Sequence, residues 1–225
     1  MDPKPPRAAE EPQETTLHGI TRSDHYAWLK DPDWQEVMRD PNRLDGEIRA
    51  YLEAENAYTK AAMAPEEALQ ETLFAEMKGR IKENDASVPK PDGAFSYYHR
   101  FTLGGEHPLF CRLAEDGGEE VLLDADQDAK GHGFYKLAAL RHSPDHRRIA
   151  YAVDLKGSEF YDIVVKDLAS GELLPERIGQ AQGDLVWAAD GESFLYCVLD
   201  RNHRPCKVLH HRLGEDPRQD RLIYE

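Results

Sequence analysis

The chain has 225 residues, 40% of them hydrophobic and 32% charged, with a mean hydropathy of -0.71 and a formal net charge of -15. This length suffices for one sizeable core or two small domains. The acidic excess excludes broad binding to nucleic acid or to anionic membranes, because both surfaces repel such a chain unless a basic patch intervenes, and the sequence shows none.

The N-terminal MDPKPPRAAEEPQETT is rich in Pro and Glu and lacks the apolar run of a signal peptide. Residues 1–15 therefore read as a disordered tail. Residues 16–80 read as a helical extension. Asp45 is placed to cap the run EIRAYLEAENAYTKAAM, in which Ile48, Tyr51, Leu52 and Tyr58 fall near one face. Pro65, with Glu66 and Glu67, opens a second helix whose Leu69, Leu73 and Met77 share a stripe, and Lys78-Gly79-Arg80 closes it. Both stripes need a cover, and stripes of this kind serve packing rather than cofactor binding.

The stretch EMKGRIKENDASVP, Glu76 to Pro89, holds three Lys or Arg and three Asp or Glu in fourteen residues. It separates the helical pattern from a pattern of period two and reads as a solvated domain boundary, with Arg80, Lys82, Glu83 and Asp85 in local or interdomain pairs. Beyond it a repeat appears. KPDGAFSYYHRF, SPDHRRIAYAVDL and AADGESFLYCVLD each carry a turn Asp, an apolar residue, and a Tyr two positions later: Asp92, Phe95 and Tyr97; Asp145, Ile149 and Tyr151; Asp190, Phe194 and Tyr196. The Asp residues are spaced by 53 and 45 positions, and a second landmark, Leu113, Leu168 and Leu213, by 55 and 45.

A unit of this size with several short strands and Asp-Gly or Ser-Gly turns is the pattern of a β-propeller blade. The expected fold is mainly β: a partial propeller over residues 81–225, with blades at about 86–130, 131–180 and 181–225, preceded by the α-helical extension. A β-sandwich is the competing arrangement, but sandwiches seldom repeat in sequence. Closure of a propeller takes about four to eight blades, so three units imply a part of a longer protein.

Four segments resemble the prolyl oligopeptidase family of serine peptidases, and within it the oligopeptidase B branch: DHYAWLKDP at Asp24 to Pro32, YLEAENAYT at Tyr51 to Thr59, EMKGRIKENDASVP, and YYHRFTLGGEHPLFCR at Tyr97 to Arg112. The resemblance runs from about residue 15 to the end. It implies a seven-bladed propeller that gates access for short peptides to an α/β-hydrolase domain bearing Ser, Asp and His, with the helical extension packed on that domain. It also implies hydrolysis after Arg or Lys through an acyl-enzyme, with no cofactor. The partners implied are short basic peptides and the intramolecular hydrolase domain. Cleavage after Pro, or a non-enzymatic binding module, are the alternatives.

The residues present offer no catalytic, cofactor or metal site. A hydrolase nucleophile needs the G-x-S-x-G elbow; Gly191-Glu192-Ser193 starts that pattern, but Leu195 holds the last Gly position and Ser193 enters a strand pattern. His142 and His146 in HSPDH have a spacing that joins two metal ligands only on a helix, which Pro144 opposes, so a surface turn is expected. His210 and His211 point to opposite faces of a strand. FTLGGEH lacks the Lys-Ser/Thr of a phosphate loop and reads as a hairpin turn between the first two strands of the first blade. Cys111, Cys197 and Cys206 form no CxxC pair and suit a reducing, cytoplasmic compartment, and no segment is long enough to span a membrane.

Overall fold

A computed structural model describes residues 3–225, which divide into two compact units, the first running to Ile81 and the second spanning Lys82–Glu225. In the first, a hairpin of β1 (Gln13–Leu17) and β2 (Ile20–Asp24) precedes α1 (Trp34–Arg39), α2 (Gly46–Met63) and α3 (Glu67–Gly79). Asp45 caps α2, accepting bonds from Glu47 N at 2.8 Å and Ile48 N at 3.2 Å. These satisfy amides that the first helical turn leaves without partners. Ile48 is buried, while Leu52, Leu69, Leu73, Phe74 and Met77 are exposed.

Two expectations are corrected here. The segment read as a disordered tail is ordered in its later part: residues 13–15 pair in β1, Glu11 N bonds His25 O at 2.9 Å, and Trp28 Nε1 bonds Ala9 O at 2.9 Å. The extension read as helical begins instead with this hairpin, turned by His18 and Gly19, both at positive φ. Polar composition concealed these elements because the stabilising bonds come from residues up to 19 positions away.

The second unit starts with a four-stranded antiparallel sheet of β3 (Lys90–Asp92), β4 (Phe95–Arg100), β5 (Leu109–Ala114) and β6 (Glu119–Asp124). Asp85 to Ser87 lie along the end of β4: Phe101 N bonds Asp85 O and Ser87 N bonds His99 O, each at 2.9 Å. FTLGGEH joins β4 to β5, so it links the second and third strands of this sheet rather than the first two; Lys90–Asp92 pairs with Phe95–Tyr97 and takes the first place. A short α4 (Ala125–Asp128) leads to β7 (Lys136–His142), β8 (Arg148–Asp154), β9 (Tyr161–Asp167), β10 (Leu173–Trp187), β11 (Ser193–Leu199), β12 (Pro205–Arg212) and β13 (Arg221–Tyr224).

These seven strands form one antiparallel sheet in chain order, where the repeat led us to expect two separate blades. The join is β10, whose 15 residues pair first with β9 and then, from Ala181, with β11. Gln180 at φ 60° and Gly183 at φ 107° bend the strand between the two pairings. The backbone thus passes between repeats without leaving its ladder.

The period-two pattern places the cores. Leu122, Leu123, Ile149, Tyr151, Val153 and Val164 form one cluster, with Tyr97 and Phe110 packed against it. Ala150, Ala152, Ile163, Val165, Leu185, Phe194 and Tyr196 belong to a second. β8 contributes alternate residues to both, so it is buried on both faces. The two repeated landmarks also meet: Leu168 N bonds Arg147 O and Leu213 N bonds Glu192 O, both at 2.9 Å.

Candidate functional site

The three repeat Asp residues each lead into a tight turn, and the residue after each has left-handed backbone: Gly93 (φ 57°), His146 (φ 60°) and Gly191 (φ 66°). Asp190 accepts bonds from Glu192 N and Ser193 N, both 3.0 Å, and Asp145 accepts from Arg147 N at 3.1 Å. The bond from Glu192 N, with others, holds the Asp190 carboxyl below its ordinary value. Burial pushes Asp145 upward, but bonds from Ser143 and Arg147 prevail and lower it. Strand arginines reach the turn of the following repeat: Arg112 on β5 donates to His146 O at 2.6 Å and Arg148 on β8 to Gly191 O at 3.2 Å.

The expected surface turn is present, closed by His146 N bonding Ser143 O at 2.9 Å, but the two His rings do not stand free. His142 ends β7 and its ring lies flat on Tyr97, centroids 3.7 Å apart and planes 3° from parallel. Its Nε2 is 2.8 Å from Asp92 Oδ2, and the Tyr97 hydroxyl is 2.8 Å from His146 Nδ1. The sequence hid this because Tyr97 lies 49 residues from His146. Burial raises the Tyr97 phenol, which therefore stays protonated. The stack joins the first sheet to the second repeat, and among the described residues no cluster of three or more His, Cys, Asp or Glu is arranged to hold a metal.

Ser193 on β11, His211 on β12 and Asp220, just before β13, lie on neighbouring segments, yet they do not assemble a nucleophile. Ser193 Oγ is 1% exposed at the residue level and lies 2.9 Å and 3.0 Å from the two Asp190 oxygens. In the β11–β12 ladder Ser193 pairs with Arg212 and Phe194 with His211, so Ser193 and His211 face opposite sides. His211 is fully buried, its Nδ1 2.8 Å from Asp220 Oδ1, and the Tyr196 hydroxyl donates to Asp220 Oδ2 at 2.7 Å. An Asp orienting a His is half of a triad, but His211 Nε2 is buried with no hydroxyl to activate. Burial, then Asp220, pushes the Tyr196 phenol up. Tyr196 and Asp220 were not singled out in sequence for this contact; the recurrent Tyr was the only signal.

The cysteines are free. Cys111 is buried, which raises its thiol, while Cys197 and Cys206 are partly buried. At the boundary stretch, Arg80 pairs with Glu76 at 3.6 Å and Lys82 with Asp85 at 3.1 Å, and Glu83 accepts a bond from Gly104 N at 3.3 Å. No helix of the described residues is long and apolar enough to cross a membrane.

What this second unit supplies is a set of packed, antiparallel repeats. The prolyl oligopeptidase N-terminal beta-propeller domain family matches residues 5–225. Dipeptidyl aminopeptidase BI of Pseudoxanthomonas mexicana is 38% identical, aligned over 98% of this chain and 32% of its own length. Protease 2 of Moraxella lacunata is 34% identical over 99% of this chain and 32% of its own. Oligopeptidase B from Leishmania major superposes with a TM-score of 0.89 at 27% identity, covering 99% of this chain and 33% of that one. The chain thus spans about a third of the length of these relatives.

Proposed function

The chain belongs to the prolyl oligopeptidase family, in the N-terminal propeller part of serine peptidases, and from that premise we propose that it is the gating portion of an oligopeptidase that cleaves short peptides after Arg or Lys. The observation that carries this reading is the family match over residues 5–225 in a chain a third as long as its relatives. In the complete enzyme a serine outside these residues attacks the scissile carbonyl, His takes its proton and passes it to the leaving amine, and water hydrolyses the ester. The 225 residues alone are inactive, since Ser193 is bonded to Asp190 and His211 has no hydroxyl.

Exposed Leu69, Leu73, Phe74 and Met77 on α3 support a hydrolase domain as the cover of the helical extension. The free cysteines support a cytoplasmic location. Preference for Arg or Lys rests on the GRIKENDASVP and ENAYT segments and on the likeness to oligopeptidase B.

The test is an assay of the polypeptide joined to its downstream sequence, on fluorogenic peptides with Arg, Lys or Pro before the scissile bond. Turnover on Arg and Lys, abolished by a serine-directed inhibitor, is expected; turnover on Pro alone would replace the specificity. Turnover by the 225 residues alone would refute their inactivity. The 38% identical relative named a dipeptidyl aminopeptidase favours a second reading, removal of dipeptides from free N-termini. Substrates with blocked and free amines separate the two.

A further inference from the structure

We propose that a cavity of about 240 Å³ lined by Glu159, Tyr161, Gln182, Leu199, His203 and Pro205 binds the cationic group of a peptide, a guanidinium or ammonium. The site deepens the peptidase reading and rests on it for the class of ligand. Three elements meet there: the connection from β8 to β9, the crossing segment of β10, and the connection from β11 to β12.

Backbone strain gathers at this place. Among the described residues five non-glycines have positive φ, and three of them are Glu159 (60°), His203 (59°) and Gln180 (60°), the last two positions before Gln182. Such conformations persist only where the surroundings fix them, and they concentrate where a side chain must be aimed. Asp154, 2% exposed, does the fixing on one side: its carboxylate accepts from Lys156 N at 2.8 Å, Gly157 N at 3.0 Å and Glu159 N at 2.7 Å. Asp200 does it on the other, accepting from Asn202 N at 2.7 Å and Arg204 N at 2.9 Å. Both walls are therefore preorganised by short carboxylate-to-amide bonds.

The groups presented are suited to a donor-rich cation. Glu159 supplies a carboxylate whose ion pair with Lys136 is long, 3.9 Å, and 65% of the Glu159 side chain is exposed. Gln182 and Tyr161 add a carbonyl oxygen and a hydroxyl. His203 rests on Phe160 with ring centroids 4.2 Å apart, and both its ring nitrogens are buried without a hydrogen-bond partner. Buried polar atoms left in this state are rare in folded proteins, and a turn of the His203 ring toward the cavity gives an incoming N–H an acceptor. Leu199 and Pro205 provide apolar wall for the methylenes of a basic side chain. Lys136 pairs with Glu159 at 3.9 Å and lies 6.0 Å from the centre of the Tyr161 ring, so it is the cation that an incoming group displaces, and the net charge of -15 draws cationic peptides toward the chain.

The test is a titration of the 225-residue chain with N-acetyl-arginine amide, following the His203 ring protons by NMR. N-acetyl-citrulline amide, which is uncharged, is the control for charge, and alanine amide, which bears a free amine, separates an N-terminal ammonium from a side-chain cation. A saturable shift of His203 with one of the cations and none with citrulline is expected. Glu159→Gln should weaken binding about fivefold or more, the worth of a charge-assisted bond, and Lys136→Met should tighten it. Both positions are at least half exposed, so the variants keep the fold. An unmoved His203, an equal response to citrulline, or binding that Glu159→Gln fails to weaken or Lys136→Met fails to tighten would overturn the site. Lost binding with intact hydrolysis in the complete enzyme defeats the site alone; binding without hydrolysis defeats the peptidase reading alone.

Discussion

Gly93→Ala tests how the first two repeats are locked together. A Cβ at Gly93 would stand 2.6 Å from His146 Nε2, and the residue has φ 57°. The left-handed conformation costs Ala about 1 kcal/mol net, once its smaller unfolded-state entropy offsets part of the strain. His146 cannot yield freely, because its Nδ1 is bonded to the Tyr97 hydroxyl at 2.8 Å and its ring lies 5.4 Å from Phe95 and 5.5 Å from His142. Displacing it removes that bond, worth about 1 kcal/mol. The expected loss is therefore about 2 kcal/mol. In a His146→Gly background the clash is gone and only the backbone cost of about 1 kcal/mol remains, so the double-mutant cycle should show a coupling of about 1 kcal/mol. Urea unfolding followed by fluorescence, in a chain with Trp28 and Trp34 replaced by Phe so that Trp187 reports alone, reads the second unit, with an unchanged slope confirming that stability alone has shifted. Equal losses in both backgrounds would show that His146 moves aside at no cost and would refute the proposed lock.

Three further outcomes follow from the same contacts. Bonds from Glu192 N hold Asp190 low and the His142 bond holds Asp92 low; carboxyls depressed in the folded state stabilise it above their unfolded value of about 4 and lose that contribution as pH falls through the folded values. Stability of the second unit should thus decline below about pH 4, less steeply in Asp190→Asn, as measured by urea midpoints across pH. Tyr196→Phe should cost about 1–2 kcal/mol, because it strips a donor from the buried Asp220 carboxylate without opening a large cavity; a thermal shift below 1 °C would contradict this. The exposed apolar face of α3 should make the 225-residue chain self-associate in sedimentation, and Leu73→Lys with Phe74→Lys should reduce that association while leaving helicity unchanged; a monomeric parent chain or unaltered association would contradict this.

Local chemistry carried much of this protein into its sequence. An Asp before a helical run is placed to cap it, and Asp45 does so; period-two alternation sends Ile149, Tyr151 and Val153 to one face of their strand, where they join one core. The repeat of turn Asp and Tyr by itself points to a propeller, and the absent elbow at Ser193 to a strand serine. Tertiary structure alone decided the partners. Tyr97, Tyr151 and Tyr196 occupy one position of the repeat, yet Tyr97 meets His146 and Tyr196 meets Asp220, 49 and 24 residues away. The continuous β10, the left-handed His146 and the unpartnered His203 beside Glu159 were likewise invisible, as was the N-terminal hairpin. Periodicity and capping depend on residues a few positions apart, whereas a hydroxyl or an imidazole takes whichever neighbour the closed fold brings within about 3 Å, and only packing specifies that neighbour.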